Sequence, residues 1–81
     1  MQEDAPSADA EWDAGELACG PLVLQLRKRL RAMPGQVLKV TARDPGAPAD
    51  LPAFCRLTDN PLLHRDPDTT SYWIRSRTDW T

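Results

Sequence analysis

The sequence has few cysteines, a single histidine, few aromatic residues and no long apolar run. Two cysteines among 81 residues exclude a disulfide-dense scaffold, and with His64 they supply too few ligands for a zinc finger. No apolar run exceeds three residues, as at Leu22–Leu24, so neither a transmembrane span nor a signal-peptide core is expected. Phosphate-binding loops, dinucleotide fingerprints and Ser/His/Asp sets are also missing, so we expect no cofactor and no metal. These observations predict a small cytoplasmic domain.

Charge is distributed unevenly along the chain. Residues 1–20 contain six acidic residues and no basic one, whereas residues 21–40 contain five basic residues and no acidic one. The net charge of −2 and the pI of about 5.2 argue against a dedicated nucleic-acid binder. The first ten residues are polar, rich in alanine and without periodicity, and we expect them to form a disordered tail.

The apolar pattern predicts two helices and four strands. Four apolar residues recur along one helical face and predict a helix over residues 21–33: Val23, Leu26, Leu30 and Met33. A shorter helix is predicted over residues 49–58, with strands over residues 11–14, 37–41, 62–65 and 72–74. The order βαβαββ is typical of an α/β fold of the α+β two-layer sandwich type, with two helices on one face of a four-stranded mixed sheet. The domain is expected to span residues 11–77, followed by a loose tail over residues 78–81.

Some side chains are assigned to the core and others to the surface. The residues expected to point inward from the second helix and the strands are Leu51, Phe54, Cys55, Leu57, Trp12 and Trp73. Cys55 is interpreted as a small buried hydrophobe, and no Cys19–Cys55 disulfide is predicted. His64 is interpreted as a partly exposed strand residue, and Trp80 is placed in the loose tail.

Three segments have a distinctive order along the chain: Asp13–Cys19 before the first helix, Asp50–Cys55 in the second helix and Tyr72–Arg75 in the last strand. In kind and in order they resemble motifs of the TusA family of sulfur carrier proteins, namely the run from its first strand to its cysteine, its second-helix motif and its closing strand. Further similar landmarks are Arg27-Lys28 in the first helix, Met33-Pro34-Gly35 at its end and Asp44-Pro45 after the second strand. The resemblance covers residues 11–77 and implies that Cys19 carries sulfur at the start of the first helix.

The sequence also departs from the family pattern. Cys19 is followed by Gly20-Pro21-Leu22, where the family has Cys-Pro-x-Pro. The family's glycine after the first strand is displaced, with Gly15 nearby. Arg43 occupies the first acidic position of the family's Asp-Asp-Pro, and Asn60 the position of a histidine that often follows the second helix. These changes indicate a divergent branch.

Cys19 is the candidate catalytic residue. A thiolate attacks a donor persulfide, and the amides and dipole at a helix N-terminus favour the anion. Gly20 adds an amide proton that the family's proline lacks, and it leaves room for a docking partner. Glu16 and Asp13 would raise the thiol pKa if they lay near it in space. The competing interpretation is a buried structural cysteine, since free cysteine is among the most buried residue types.

A basic cluster lies in the helix that follows Cys19. Together with the motif it gives the candidate partner-docking residues Gly20, Pro21, Arg27, Lys28 and Arg31. Positive charge at these positions suits an acidic partner protein, whereas the alternative is an ordinary solvated helix face. Direct nucleic-acid binding is not favoured, because no aromatic residues are interleaved with the cluster.

The resemblance implies a carrier rather than a stand-alone enzyme. Cys19 would accept sulfane sulfur as a persulfide from a donor of the cysteine desulfurase or rhodanese type. It would then relay the sulfur to an acceptor sulfurtransferase, in tRNA thiolation, cofactor biosynthesis or sulfur oxidation. A monomer without membrane attachment is expected. The alternative is an interaction module on the same fold that has lost the sulfur chemistry. A thiol-dependent enzyme ranks last, because His64 is the only base offered and lies in a distant strand.

Overall fold

A computed structural model of the chain describes residues 5–80, except for the side chain of Cys19. Its elements are β1 (Ala10–Gly15), α1 (Cys19–Arg31), β2 (Val37–Ala42), α2 (Ala47–Thr58), β3 (Leu62–Asp66) and β4 (Ser71–Arg75). The predicted βαβαββ order and the α+β two-layer fold are confirmed. Neither helix is both long enough and apolar enough to cross a membrane within the part of the chain that is described.

The strands form one mixed sheet in the order β1-β2-β4-β3. β1 and β2 are parallel, whereas β4 is antiparallel to both β2 and β3. Because β1 and β2 run the same way, Gly15 and Ala42 end at the same edge of the sheet, and both helices begin from that edge. We call it the upper edge. The lower edge is where β3 begins and β4 ends.

α1 buries a line of leucines against the sheet. Leu22, Leu26 and Leu30 are fully buried, while Val23 and Met33 pack at the sides of this line. All four residues of the predicted face therefore contact the core, and the fully buried Leu22 was missing from the prediction. The helix was expected to begin at Pro21, but α1 begins two residues earlier, at Cys19. Pro21 is tolerated as the third residue because first-turn amides have no acceptor within the helix.

α2 begins at Ala47 and buries Leu51, Phe54 and Cys55 against the sheet. The inward prediction for Leu57 is wrong, since 85% of its surface is exposed. Leu57 lies two residues beyond Cys55, and two helical residues turn a side chain by roughly 200°, to the opposite side. The helix ends at Thr58, and its C-cap residue Asp59 adopts a left-handed conformation with φ of 59°.

Trp73 was expected in the core, but it lies on the face of the sheet opposite the helices. Neighbouring strand residues point to opposite faces, so Tyr72 and Ile74 enter the core and Trp73 cannot. Trp73 is nevertheless buried, because other side chains cover its ring. Lys39 Nζ lies 5.2 Å from the ring centroid, and His64 packs edge-on at 5.0 Å.

The other two tryptophans are half-buried against the core. Trp12 lies on the edge strand β1, so its expected burial is incomplete, and the Arg29 guanidinium covers its ring at 4.5 Å from the centroid. Trp80 was expected in a loose tail, and this placement is wrong. Its indole Nε1 donates a hydrogen bond to Ser76 Oγ at 2.9 Å, which holds the ring against the domain. Asp9 belongs to the segment that was expected to form an N-terminal tail. Its amide donates a hydrogen bond to the Val37 carbonyl, and its carboxylate accepts one from the Val37 amide. Residues 1–4 of the expected tail lie outside the described residues.

Candidate functional site

Cys19 is the first residue of α1 and follows β1 after a three-residue connection. Its side chain lies outside the described residues. The N-cap residue is Ala18, with φ of −69° and ψ of 162°, and it has no side-chain oxygen to accept a bond from the first turn. The first intrahelical bond joins the Leu22 amide to the Ala18 carbonyl at 2.9 Å. The helix itself therefore leaves the amides before Leu22 unused, and the turn contains no acidic residue. This arrangement favours an anion at the upper edge.

The first turn of α1 is open to a partner. Gly20 and Pro21 are exposed, and a Cβ built on Gly20 meets no neighbouring atom within 4 Å. Leu22, the last residue of the Cys-Gly-Pro-Leu motif, is fully buried instead. Leu22, which stands where the family has its second proline, is therefore a core residue in this chain. Its side chain makes apolar contacts, and its amide closes the first turn of α1.

An exposed stripe continues from this turn along α1. Gly20, Leu24, Arg27 and Arg31 follow one another at helical spacing on the solvent side, and we call them the α1 stripe. Lys28 is exposed beside it. The structure thus brings the predicted docking residues together on one surface. Leu24, which is 65% exposed, was not among the predicted docking residues. Its spacing of four residues from Gly20 and three from Arg27 places it on the same helical face and could have identified it.

Part of the basic cluster is fixed by aromatic contacts. The Arg27 guanidinium lies 5.9 Å from the Trp80 ring centroid, and Arg29 covers Trp12. Such cation–π contacts limit the freedom of long side chains. The positive charge of Arg27 is therefore held in a defined position on the α1 stripe.

Arg43 anchors the connection that leads to Cys19. Gly15 turns the chain with φ of 61°, and its amide donates to Asp13 Oδ1 at 2.8 Å. Arg43 Nη1 lies 3.3 Å from the same oxygen, and the Arg43 amide donates to the Gly15 carbonyl at 2.8 Å. The positive charge of Arg43 thus lies beside the negative charge of Asp13 at the start of this connection. Arg43 was noted in the sequence only as a departure from a motif.

The other candidate groups do not join this site. Cys55 is buried, and burial raises the pKa of its thiol to about 11, with a smaller opposing effect from Arg56. A neutral thiol is a poor nucleophile. His64 is half-buried on β3, which β2 and β4 separate from β1, so it is not placed to serve Cys19 as a base. Within the described residues, no group of three His, Cys, Asp or Glu side chains is placed to hold a metal ion.

Comparison with known proteins shows which family the chain belongs to. A family model described as Sulfurtransferase TusA matches residues 10–76. The chain belongs to the TusA family. Three TusA relatives, each named "Sulfur carrier protein TusA", come from Pseudomonas. The protein of P. syringae pv. syringae (strain B728a) is 38% identical over 76 residues, 90% of either chain. Those of P. putida (strain GB-1) and P. entomophila (strain L48) are 39% and 40% identical over 74 residues, which is 88% of this chain and 92% of theirs.

Proposed function

We propose that this chain is a sulfur carrier that works through a persulfide on Cys19. The Cys19 thiolate attacks the outer sulfur of a donor persulfide, the sulfur–sulfur bond of the donor breaks, and the donor leaves as a thiolate. Cys19 then holds the transferred sulfur until an acceptor thiolate takes it by the same exchange. The main support is that Cys19 begins α1, whose N-terminus has no side-chain cap and no acidic residue in its first turn.

Docking is assigned to the α1 stripe with Pro21 and Lys28. The exposed Leu24 offers an apolar contact between the thiol-bearing turn and the basic residues, which suits an acidic partner surface with an apolar centre. The partners on this proposal are a donor of the cysteine desulfurase or rhodanese type and an acceptor sulfurtransferase. We place the carrier in the cytoplasm, as a monomer, in tRNA thiolation, cofactor biosynthesis or sulfur oxidation.

Intact mass spectrometry tests the carrier role. Incubation with a cysteine desulfurase and cysteine is expected to add one sulfur, about 32 Da, which a reductant removes. Cys19→Ala is expected to lose the adduct. Cys55→Ala is the matched control, and it is expected to keep the adduct because the Cys55 thiol is buried and protonated. An adduct that stays on Cys19→Ala would contradict the assignment.

The same assay addresses the alternative of an interaction module without sulfur chemistry. Gly20→Pro restores one family proline at an exposed position where a side chain meets no neighbour. A loading rate of this variant that differs from that of wild type would show that residue 20 takes part in sulfur transfer. No adduct on either protein with several donors would favour the interaction module. Leu22→Pro is unsuitable as a second restoration, because it removes a buried leucine and the Leu22 amide bond.

A further inference from the structure

A pocket of about 270 Å³ opens near the lower edge of the domain, between α2 and the start of β3. Pro52, Cys55 and Arg56 line it from one face of α2, at spacings of three and four residues. Pro61 and Leu62 line it from the opposite side. Since α1 and α2 both begin at the upper edge and this pocket lies along the second half of α2, it is separate from the turn that bears Cys19.

The walls of this pocket are rigid. Pro52 and Pro61 have fixed φ angles, and the link between the helix and the strand is held by Asn60, which is fully buried. The Asn60 side chain donates to Thr58 Oγ1 at 2.7 Å and accepts a bond from the Arg77 amide at 2.8 Å. A ligand would therefore find the pocket already formed and would not have to order its walls, which removes one of the usual costs of binding.

The lining is apolar with one positive charge. Pro52, Pro61 and Leu62 present carbon atoms, and Arg56 is the one charged residue among the five that line the pocket. Cys55 contributes a neutral thiol, which behaves as a small hydrophobe. Arg56 lines the pocket beside Cys55, and its positive charge opposes, more weakly than burial acts, the rise in the Cys55 pKa. The neighbouring carboxylate of Asp59 helps to raise the pKa of Arg77, although less than Asp79 does.

We propose that this pocket binds small carboxylates with an apolar body, such as an aromatic ring or a short aliphatic chain. The apolar body packs between Pro52, Pro61 and Leu62, and the carboxylate faces the Arg56 guanidinium. The binding is reversible and involves no reaction at the Cys55 thiol. The proposal does not depend on sulfur transfer at Cys19.

Two-dimensional amide NMR with benzoate and with benzamide tests this proposal. Benzamide has the same ring and nearly the same shape, but no charge. Benzoate is expected to give saturable shifts confined to Cys55, Arg56, Leu62 and their neighbours, with a Kd of about 1 mM. Benzamide is expected to bind about threefold more weakly or worse, because an exposed charge pair adds a modest gain.

Charge-removing variants supply the control. Arg56→Gln removes the positive charge at an exposed position and is expected to weaken benzoate binding to the level of benzamide binding. Arg29→Gln removes an exposed arginine from α1, outside the α1 stripe, and is expected to leave benzoate binding unchanged. Equal binding of the two probes, shifts without saturation, or an Arg56→Gln variant that binds benzoate like wild type would each overturn the proposal.

Discussion

Cys55 is held in the core as a neutral thiol. It is buried beside Phe54 and Leu51, and desolvation raises its pKa from 9.0 to about 11. An unfolded chain exposes this thiol to water and lets it ionise near its ordinary value. Folding therefore favours the protonated form, and alkaline solution favours the unfolded chain.

Stability is accordingly expected to fall as the pH rises from 9 towards 11. In this range the unfolded thiol has lost its proton while the folded one keeps it, so the unfolded state binds fewer protons. Urea unfolding of wild type and Cys55→Ala at several pH values between 8 and 10.5 measures the effect. The variant is expected to be less stable at pH 8, but to lose less stability with rising pH. Parallel pH profiles would show that Cys55 does not ionise on unfolding.

Periodicity explains why two side chains were misplaced in the sequence prediction. Tyr72, Trp73 and Ile74 form an uninterrupted apolar run, in which strand alternation sends the middle residue to the other face of the sheet. The prediction for Leu57 is wrong for a corresponding reason, because two helical residues turn its side chain to the side of α2 opposite Cys55. The cover of Trp73 by Lys39 and His64 depends on strand pairing, which the local sequence does not reveal.

The two helices that begin at the upper edge both lack a side-chain hydrogen bond from the N-cap residue, but they differ in the acidic residues around their first turns. α2 is preceded by a turn in which Asp44 Oδ2 accepts the Gly46 amide at 3.0 Å, and it has Asp50 in its first turn. α1 has Ala18 as its N-cap and no acid in its first turn. A protein selected for stability alone would place a capping side chain at residue 18. The absence of both a side-chain cap and a first-turn acidic residue in α1 is consistent with a turn kept available for an anion.

Ala18→Ser tests this trade-off. The serine hydroxyl has one suitable donor, the Gly20 amide, because Pro21 has no N–H. The variant is expected to gain about 1 kcal/mol of stability. It is also expected to load sulfur more slowly, because the hydroxyl competes for an amide that would otherwise face the persulfide.

The Gly20→Pro background is the matched control, since proline removes that amide. There Ala18→Ser is expected to change neither the urea midpoint nor the loading rate. A stabilised Ala18→Ser variant that loads sulfur as fast as wild type would show that the free amide has no part in the chemistry.

Element order and type were predictable from the sequence, whereas element ends were less so. Periodic apolar residues identified both helices, and β-branched and aromatic runs identified β2 and β4. The ends were set by contacts between distant segments. β1 reaches Gly15 because the Arg43 amide bonds to its carbonyl, and no pattern near Gly15 indicates that partner.

At the scale of the whole molecule, the C-terminal segment closes the lower edge. Ser76 is fully buried, and its hydroxyl donates to the Leu30 carbonyl at the end of α1. Trp80 donates to the same hydroxyl, packs on the core and lies under Arg27. The segment after β4 therefore joins the last turns of α1 to the sheet. An 81-residue domain has a small core, so one additional large side chain contributes a substantial fraction of its stability.

Trp80→Ala is therefore expected to lower the free energy of unfolding by about 1–2 kcal/mol, less than the loss at a fully buried tryptophan. For a domain of this size the Tm is expected to fall by roughly 5–15 °C, measurable by thermal unfolding. Trp80→Phe keeps most of the apolar contact but not the bond to Ser76 Oγ, and a smaller loss is expected.

Both variants are expected to leave the iodoacetamide alkylation rate of Cys19 unchanged, because Cys19 begins α1 at the upper edge and Trp80 packs near its other end. A Tm equal to that of wild type in Trp80→Ala would mean that the C-terminal segment does not stabilise the domain. A changed alkylation rate would mean that the two edges are coupled through α1.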